Sequence, residues 1–299
     1  MSPSRAVGCR RQPPDSLPPV SDGFSRATDD NGQTFVFGDR GEGPLVVLLH
    51  GFPDTPHGWG PIAGRVAAAG YRVVTPWLRG YHPATLVPGR GYGAELIAED
   101  AVRLLDALEA DAAVLVGHDW GASIVYGAAN LDPGRVRAIV PIDIPHPSLI
   151  TPSPRAAWAV RHFLALRLPW AERAVARNDF AYLDTLYRRW SPSWTGPERD
   201  ASLARAKSCF ADRRSLQAAL DYYRALRPRV PASVATAPAV RGLVVGGTAL
   251  LDGSLFERTA AALAPGSSAL VFEGSGHWCH REQEERFGAA LLAFLADLD

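Results

Sequence analysis

The stretch AVLVGHDWGA at residues 113–122 decides the fold of this chain. Its first four residues are apolar and rich enough in valine to predict a short buried parallel strand. The next five, GHDWG, place one glycine two residues before Asp119 and another two residues after it. This spacing is typical of a tight turn between a strand and a helix, where a Cβ has no room. We therefore predict that residues 117–121 form a nucleophile elbow, a strained turn that lifts the Asp119 side chain above the sheet.

Short apolar runs alternate with helix-period segments on both sides of this stretch, as βα units require. The runs that predict buried parallel strands are residues 46–49, 71–75, 113–116, 138–142, 243–245 and 270–272. Apolar side chains at 97, 101, 104, 105 and 108 form one stripe and predict a helix. Residues 25–27 and 33–37, joined by the turn-rich DDNG, predict an antiparallel hairpin. The predicted fold class is α/β, a mostly parallel sheet with helices on both faces.

Composition divides the chain into a core and an insertion. Residues 151–230 carry 15 basic and 7 acidic residues, although the whole chain has 31 of each. Pro-rich stretches open and close this region. We therefore predict an inserted helical cap at 146–235 and an α/β core at 21–145 and 236–299. The Pro-rich residues 1–20 are expected to form a disordered tail.

The composition also limits the partners and the compartment. The formal net charge is zero, so the protein has no overall positive charge to attract nucleic acid, and we expect no nucleic-acid partner. Three cysteines without metal-ligand or redox spacing indicate a reducing compartment, and we expect a cytoplasmic location. The sequence has no run of 18 apolar residues that would cross a membrane. We expect a soluble protein that uses no cofactor or metal and acts on a small molecule. The sequence does not decide between a monomer and a homodimer.

A carboxylate at the elbow predicts a particular chemistry. A serine that displaced an alkyl carbon would leave an ether, which water does not readily cleave, whereas a carboxylate leaves an ester that water can hydrolyse. The predicted target is therefore an sp³ carbon that bears a leaving group. The alternative is that Asp119 only caps the helix that follows it.

A second motif, HGFPD at residues 50–54, directly follows the strand predicted at 46–49. Together with GHDWGA, it resembles the α/β-hydrolase superfamily and in particular its epoxide hydrolase branch. The resemblance extends over roughly residues 23–298 and includes WLRGY at 77–81 and GSGHW at 274–278. It implies an α/β-hydrolase fold with an aspartate nucleophile, related to the haloalkane and fluoroacetate dehalogenases.

The same resemblance implies an oxyanion hole and a general base. The oxyanion hole is expected from the backbone N–H groups of Phe52 and Trp120, with a cis bond between Phe52 and Pro53 that turns the first N–H toward the pocket. His277 lies where the superfamily places its histidine and is the expected base. His280, three residues later, is expected to be exposed to solvent on the next helix.

Two aspartates compete to orient His277, because the superfamily takes this acid from either of two strand ends. Asp143 follows the first strand after the nucleophile helix, which resembles fluoroacetate dehalogenases and one bacterial group of epoxide hydrolases. Asp252 follows the penultimate strand, but later than the usual Gly-x-x-Asp spacing. We favour Asp143 and keep Asp252 as the alternative triad acid.

The predicted cap must protonate the leaving oxygen if the substrate is an epoxide, since an alkoxide leaves slowly without a proton. The family's cap motif aligns its tyrosine with Tyr223 in LDYYR. His162 occupies the slot where most of the family has a second tyrosine, so this sequence departs from the common Tyr/Tyr pair. The alternative is that Tyr222 and Tyr223 only pack the cap onto the core.

The sequence therefore predicts an epoxide hydrolase that forms a vicinal diol through a covalent hydroxyalkyl-aspartyl ester. A haloalkane or haloacid dehalogenase with the same nucleophile is the alternative. Haloalkane dehalogenases resemble this chain in the residue at Trp120, but they usually carry asparagine where Phe52 stands. Haloacid-type relatives carry arginine at the position of Trp120. A more remote alternative is a non-catalytic protein that binds ligands on a hydrolase fold.

Overall fold

A computed structural model describes residues 23–87, 91–150, 161–227 and 231–298. The strands in these ranges are β1 (Phe24–Thr28), β2 (Thr34–Arg40), β3 (Leu45–Leu49), β4 (Arg72–Pro76), β5 (Ala113–His118), β6 (Val136–Ile142), β7 (Arg241–Gly247) and β8 (Ser268–Phe272). They form one sheet in the order β1-β2-β4-β3-β5-β6-β7-β8. The pairs β1–β2 and β2–β4 are antiparallel, and all other neighbours are parallel. The predicted fold class is confirmed, including the hairpin.

Helices connect the parallel strands. Those described are α1 (Gly60–Ala68), α2 (Ala94–Ala107), α3 (Trp120–Leu131), α4 (Arg161–Arg167), α5 (Ala171–Trp190), α6 (Pro197–Ala211), α7 (Arg213–Ala225), α8 (Ala232–Ala235), α9 (Ser254–Ala262), α10 (Cys279–Glu282) and α11 (Glu284–Ala296). The helix predicted from the apolar stripe is α2, which buries Ile97, Leu104 and Leu105. The backbone of α5 leaves helical geometry at residues 177–180.

The core lies on both faces of the sheet. Alternate residues of β3 sort between the faces: Val47 and Leu49 join one apolar cluster, whereas Val46 and Leu48 join the other. The first cluster also takes in buried side chains of α2, α3, α5 and α7. The second lies under α1 and α11. Helices α5 and α7, which lie between β6 and β7 in the chain, are therefore packed into the same apolar cluster as one face of the sheet.

Five of the described helices, α4 to α8, fall within the insertion predicted at 146–235, between β6 and β7. The boundaries at 146 and 235 stay a prediction. The tail predicted at 1–20 lies outside the described residues. None of the helices in the described ranges is long and apolar enough to cross a membrane.

Candidate active site

Asp119 lies between β5 and α3 with a φ of 55° and a ψ of −115°. This positive φ is unusual for a residue with a side chain and costs about 1–3 kcal/mol. The glycines on either side permit the turn. A Cβ on Gly117 would lie 2.1 Å from the Gly121 oxygen, and a Cβ on Gly121 would lie 2.2 Å from the Leu49 oxygen. The sequence therefore needs glycine at both positions to bring the backbone this close to β3.

The two N–H groups predicted for the oxyanion hole meet at the Asp119 carboxylate. Phe52 N donates to Asp119 Oδ1 at 2.8 Å, and the Phe52–Pro53 bond is cis. Burial raises the pKa of Asp119 above its usual value, while the nearby His277 and the N–H groups of Phe52 and Trp120 partly offset this effect. Both N–H groups therefore interact with the Asp119 carboxylate, which would carry the negative charge of a tetrahedral ester intermediate.

His277 lies between two carboxylates. Its Nε2 is 3.5 Å from Asp119 Oδ2, and its Nδ1 is 2.6 Å from Asp143 Oδ2. Gly247 N donates to Asp143 Oδ1 at 3.3 Å. Burial alone would lower the pKa of His277, but the hydrogen bond and charge of Asp143 outweigh burial and raise it. Burial raises the pKa of Asp143 to about 6, against the opposing effect of His277.

The structure brings only one of the two predicted acids to His277. Asp143 bonds to the imidazole directly. Asp252 is exposed at the start of α9, where its Oδ1 accepts from Ser254 N at 3.0 Å. This geometry favours Asp143 as the acid that orients the histidine.

Two more histidines pack behind His277. The Nε2–H of His118 donates to the His277 carbonyl oxygen, and their ring centroids are 4.5 Å apart. His280 is only 2% exposed, and its ring lies 4.6 Å from His118 and 4.9 Å from Trp59. The expectation that His280 is exposed is wrong, because α10 places its ring against aromatic side chains from other elements. Burial lowers the pKa of His280 well below its usual value.

The C-terminal end of α5 holds the loop that carries His277. His277 N donates to the Trp190 oxygen at 2.8 Å, and Trp278 N donates to Ser191 Oγ at 3.0 Å. A Cβ on Gly276 would lie 2.2 Å from the same Trp190 oxygen. Sequence reasoning missed these contacts, because Ser191 and Trp278 are 87 positions apart and no local pattern links them.

A third buried carboxylate, Asp54, supports the same loop from the core. Its Oδ2 accepts from the indole Nε1 of Trp278 at 3.1 Å, and its Oδ1 accepts from Thr55 N at 2.7 Å. Burial raises the pKa of Asp54, with the nearby Arg281 opposing this effect. The last residue of HGFPD is therefore structural in this geometry, since it bonds to the loop and not to the nucleophile.

A cavity of about 1060 Å³ reaches Asp119 and is lined there by Trp120 and Tyr223. Tyr223 is buried, and its hydroxyl has no hydrogen-bond partner among the described residues. Burial raises the pKa of Tyr223 well above its usual value, and the charge of Asp119 adds to the effect. The neighbouring Tyr222 donates instead to the Arg79 oxygen at 2.9 Å. Of these two tyrosines, Tyr223 is thus the one whose hydroxyl has no partner among the described residues.

His162 packs among aromatic side chains. Its ring centroid is 4.7 Å from that of Trp190 and 6.1 Å from that of Tyr223. It does not belong to the lining of the large cavity, whereas its neighbour Phe163 does. Its role as a second proton donor stays a prediction. Among the described residues, no group of three His, Cys, Asp or Glu side chains is placed to hold a metal ion.

The sequence model of the alpha/beta hydrolase family matches residues 46–290, which include the elbow, Asp143 and His277. The chain belongs to the alpha/beta hydrolase family. The resemblance that the motifs implied is confirmed at this level.

Individual proteins similar to this alpha/beta hydrolase agree with the match. An AB hydrolase superfamily protein of Bacillus subtilis is 29% identical, over 86% of this chain and 91% of its own. An epoxide hydrolase of Caballeronia sordidicola is 28% identical, over 90% of this chain and 92% of its own. The solved structure of the epoxide hydrolase CorEH without ligand is similar with a TM-score of 0.79 at 20% identity, over 92% of this chain and 99% of that one. Relatives named as epoxide hydrolases thus span nearly the whole chain.

Proposed function

We propose that this alpha/beta hydrolase is an epoxide hydrolase, which opens a small-molecule epoxide to a vicinal diol through a hydroxyalkyl ester on Asp119. The observation that carries the proposal is a carboxylate at the elbow, 3.5 Å from an imidazole whose other nitrogen bonds to Asp143. The relatives named as epoxide hydrolases support an epoxide as the electrophile.

In the first step, an Asp119 oxygen attacks one epoxide carbon and the bond from that carbon to the ring oxygen breaks. Tyr223 donates a hydrogen bond to that oxygen and then its proton. Because the pKa of Tyr223 is raised well above its usual value, the phenol is protonated at neutral pH and able to donate. The alkoxide that forms is a stronger base than the phenolate, so the proton transfer is favourable.

In the second step, neutral His277 takes a proton from water, and the resulting hydroxide attacks the ester carbonyl. The N–H groups of Phe52 and Trp120 stabilise the oxyanion. Asp143 holds the imidazolium through the 2.6 Å hydrogen bond to Nδ1. The intermediate then expels the diol oxygen, which takes the proton from His277. The carboxylic acid left on Asp119 loses its proton to solvent, and the Tyr223 phenolate takes one from solvent, so both groups return to their starting state.

The proposal also covers the cap, the cellular compartment and the oligomeric state of the protein. We assign residues 146–235 to a cap because α4 to α8 fall within this range and α7 carries Tyr223, which lines the same cavity as Asp119. We also propose a cytoplasmic enzyme that works without a cofactor, as a monomer or homodimer. Cysteine usage in the sequence supports the reducing compartment, and light scattering of the purified protein measures the assembly.

One observation favours the dehalogenase as a second candidate. The indole Nε1 of Trp120 is buried beside Asp119 and has no hydrogen-bond partner in the described part of the chain, so a departing halide could accept a hydrogen bond from it. Epoxides, haloalkanes and fluoroacetate assayed side by side separate the two candidates. Halide release without diol formation from any epoxide would favour the dehalogenase.

The His277→Gln variant tests the covalent step. It should still form the ester but not hydrolyse it, because the base is missing. Mass spectrometry should then find one added epoxide on the peptide that contains Asp119. Asp119→Ala is the control and should show neither the adduct nor turnover. An unmodified peptide from a His277→Gln protein that binds the epoxide would contradict the mechanism.

A further inference from the structure

Two buried donors without acceptors flank the nucleophile. The hydroxyl of Tyr223 and the indole Nε1 of Trp120 both lack a hydrogen-bond partner among the described residues, and both side chains line the cavity that reaches Asp119. Their ring centroids are 5.2 Å apart at an interplanar angle of 78°. A buried donor without a partner destabilises the fold, so such a pair beside a nucleophile indicates a site where a ligand supplies the acceptor.

The two donors belong to rings that contact each other edge to face. The indole N–H of Trp120 lies close enough to the Tyr223 oxygen to lower the raised pKa of this phenol in part, although the two atoms do not reach hydrogen-bonding geometry. Tyr223 comes from α7 and Trp120 from the first turn of α3. The pair therefore spans the boundary between the insertion and the core, on the wall of the cavity that Asp119 also lines.

The neighbouring aromatic residues are different. Trp278 donates to Asp54, Tyr187 donates to the Pro53 oxygen, and Tyr126 donates to the Ile144 oxygen. Trp77 and Tyr81 also have an unpaired polar atom, but neither lines the large cavity. His162 does not line it either. Only Tyr223 and Trp120 combine an unpaired donor with a position on this wall, within the described residues.

We propose that the indole N–H of Trp120 is the second hydrogen-bond donor to the epoxide oxygen, in place of a second proton donor from the cap. This inference rests on the epoxide hydrolase function proposed above. The indole keeps its proton throughout, so Trp120 stabilises the developing alkoxide only by a hydrogen bond. Tyr223 supplies the proton that the oxygen finally carries.

The Trp120→Phe variant tests this assignment, because it removes the indole N–H and keeps the backbone N–H of the oxyanion hole. Rapid mixing with an epoxide measures ester formation and ester hydrolysis separately. Ester formation should slow by about 10- to 100-fold, and hydrolysis should change by less than about 3-fold. Combining it with Tyr223→Phe should slow ester formation further than either change alone. Trp77→Phe is the matched control and should match the parent protein.

Other outcomes of this experiment would overturn the assignment. Ester formation at the parental rate in Trp120→Phe would do so while leaving the epoxide hydrolase function intact. If His162→Phe slows ester formation as much as Trp120→Phe does, the second hydrogen-bond donor is His162 of the cap and the assignment to Trp120 is wrong. A parent protein that forms neither ester nor diol from any epoxide would overturn the function and the assignment together.

A measurement that retains Trp120 covers the case in which Trp120→Phe does not fold. The Asp119→Asn variant can bind an epoxide but cannot alkylate. In this variant, the indole ¹⁵N–¹H resonance of Trp120 should move when the epoxide is added, and that of Trp77 should stay in place. An unchanged Trp120 resonance at saturating epoxide would overturn the proposal.

Discussion

At the scale of single residues, the protonation of His277 governs turnover in the proposed cycle. The pKa of this imidazole is raised because Asp143, and then Asp119, outweigh the opposing effect of burial. A general base must be neutral, so ester hydrolysis requires a pH above this raised pKa. Alkylation requires only that Asp119 is ionised, and its pKa is raised from a much lower usual value.

We therefore expect turnover to fall as the pH drops through an apparent pKa above the usual value of a histidine, while ester formation continues. The ester on Asp119 should accumulate in the acidic range. Quenched reactions analysed by mass spectrometry at a series of pH values measure both quantities. If ester formation and turnover decline together, His277 does not act in the second step alone.

The Asp143→Asn variant tests which acid holds His277. Loss of the carboxylate removes the main cause of the raised pKa, so the acid limb of the pH profile should shift to lower pH. Turnover on the plateau should also fall by up to about 10⁴-fold, because the tautomer and orientation of the imidazole are no longer fixed. Asp252→Asn is the control and should change neither quantity. Greater damage from Asp252→Asn would show that the loop before α9 reaches His277 in solution.

At the scale of secondary-structure elements, the end of α5 links two active-site loops. Tyr187 donates to the Pro53 oxygen at 2.9 Å, next to the N–H of the oxyanion hole. The Trp190 oxygen and Ser191 Oγ accept from the loop of His277 and Trp278. One helix end therefore sets the spacing between the base and the oxyanion hole.

The Ser191→Ala variant should weaken this link. It leaves the buried Trp278 N–H without its acceptor, which costs about 1–3 kcal/mol of stability. Displacement of the loop should slow ester hydrolysis by about 10- to 100-fold, and ester formation should change much less. Ser215→Ala is a matched control, since Ser215 is buried in the same group of helices and its hydroxyl has no partner among the described residues. Equal losses in both half-reactions would indicate a general structural effect of Ser191.

The sequence predicted the elements of the core better than the contacts between elements. Strands such as β5 carry their own signal, because a short apolar run and a following GHDWG need no distant partner to be recognised. The bond between Ser191 and Trp278 depends on where α5 ends in space, and no spacing along the chain records that. The sequence failed to predict the burial of His280 for a similar reason. This burial depends on contacts with Trp59 and His118, which come from other elements.

At the scale of the whole molecule, one buried ion pair connects several layers. Arg79, which follows β4, donates to Asp100 of α2 through Nε at 2.6 Å and through a second nitrogen, and it also contacts Gln33 before β2. Tyr222 of α7 donates to the Arg79 oxygen. The residue before β2 and helix α2 are thus joined at the guanidinium group of Arg79, whose side chain is 2% exposed. Helix α7 is joined to the same residue through its backbone oxygen.

The Asp100→Asn variant should therefore destabilise the whole fold. It leaves the Arg79 charge buried without its counter-ion, which typically costs about 3–5 kcal/mol. Asp297→Asn breaks the exposed pair with Arg241 and should cost less than about 1 kcal/mol. Urea unfolding followed by tryptophan fluorescence compares the two free energies of unfolding. Similar losses in the two variants would contradict this role of the buried pair.

The backbone conformation at Asp119 also constrains how this protein can evolve. Glycine accepts a positive φ without strain, and it would also remove a buried carboxylate from the turn. Selection for heat resistance alone would therefore favour losing the nucleophile, and only selection for turnover retains it. Substitutions that raise thermal stability and keep activity must therefore be sought at other positions. One such position is Gly64 in α1, where a Cβ would meet nothing within 4 Å and alanine would strengthen the helix by up to about 1 kcal/mol.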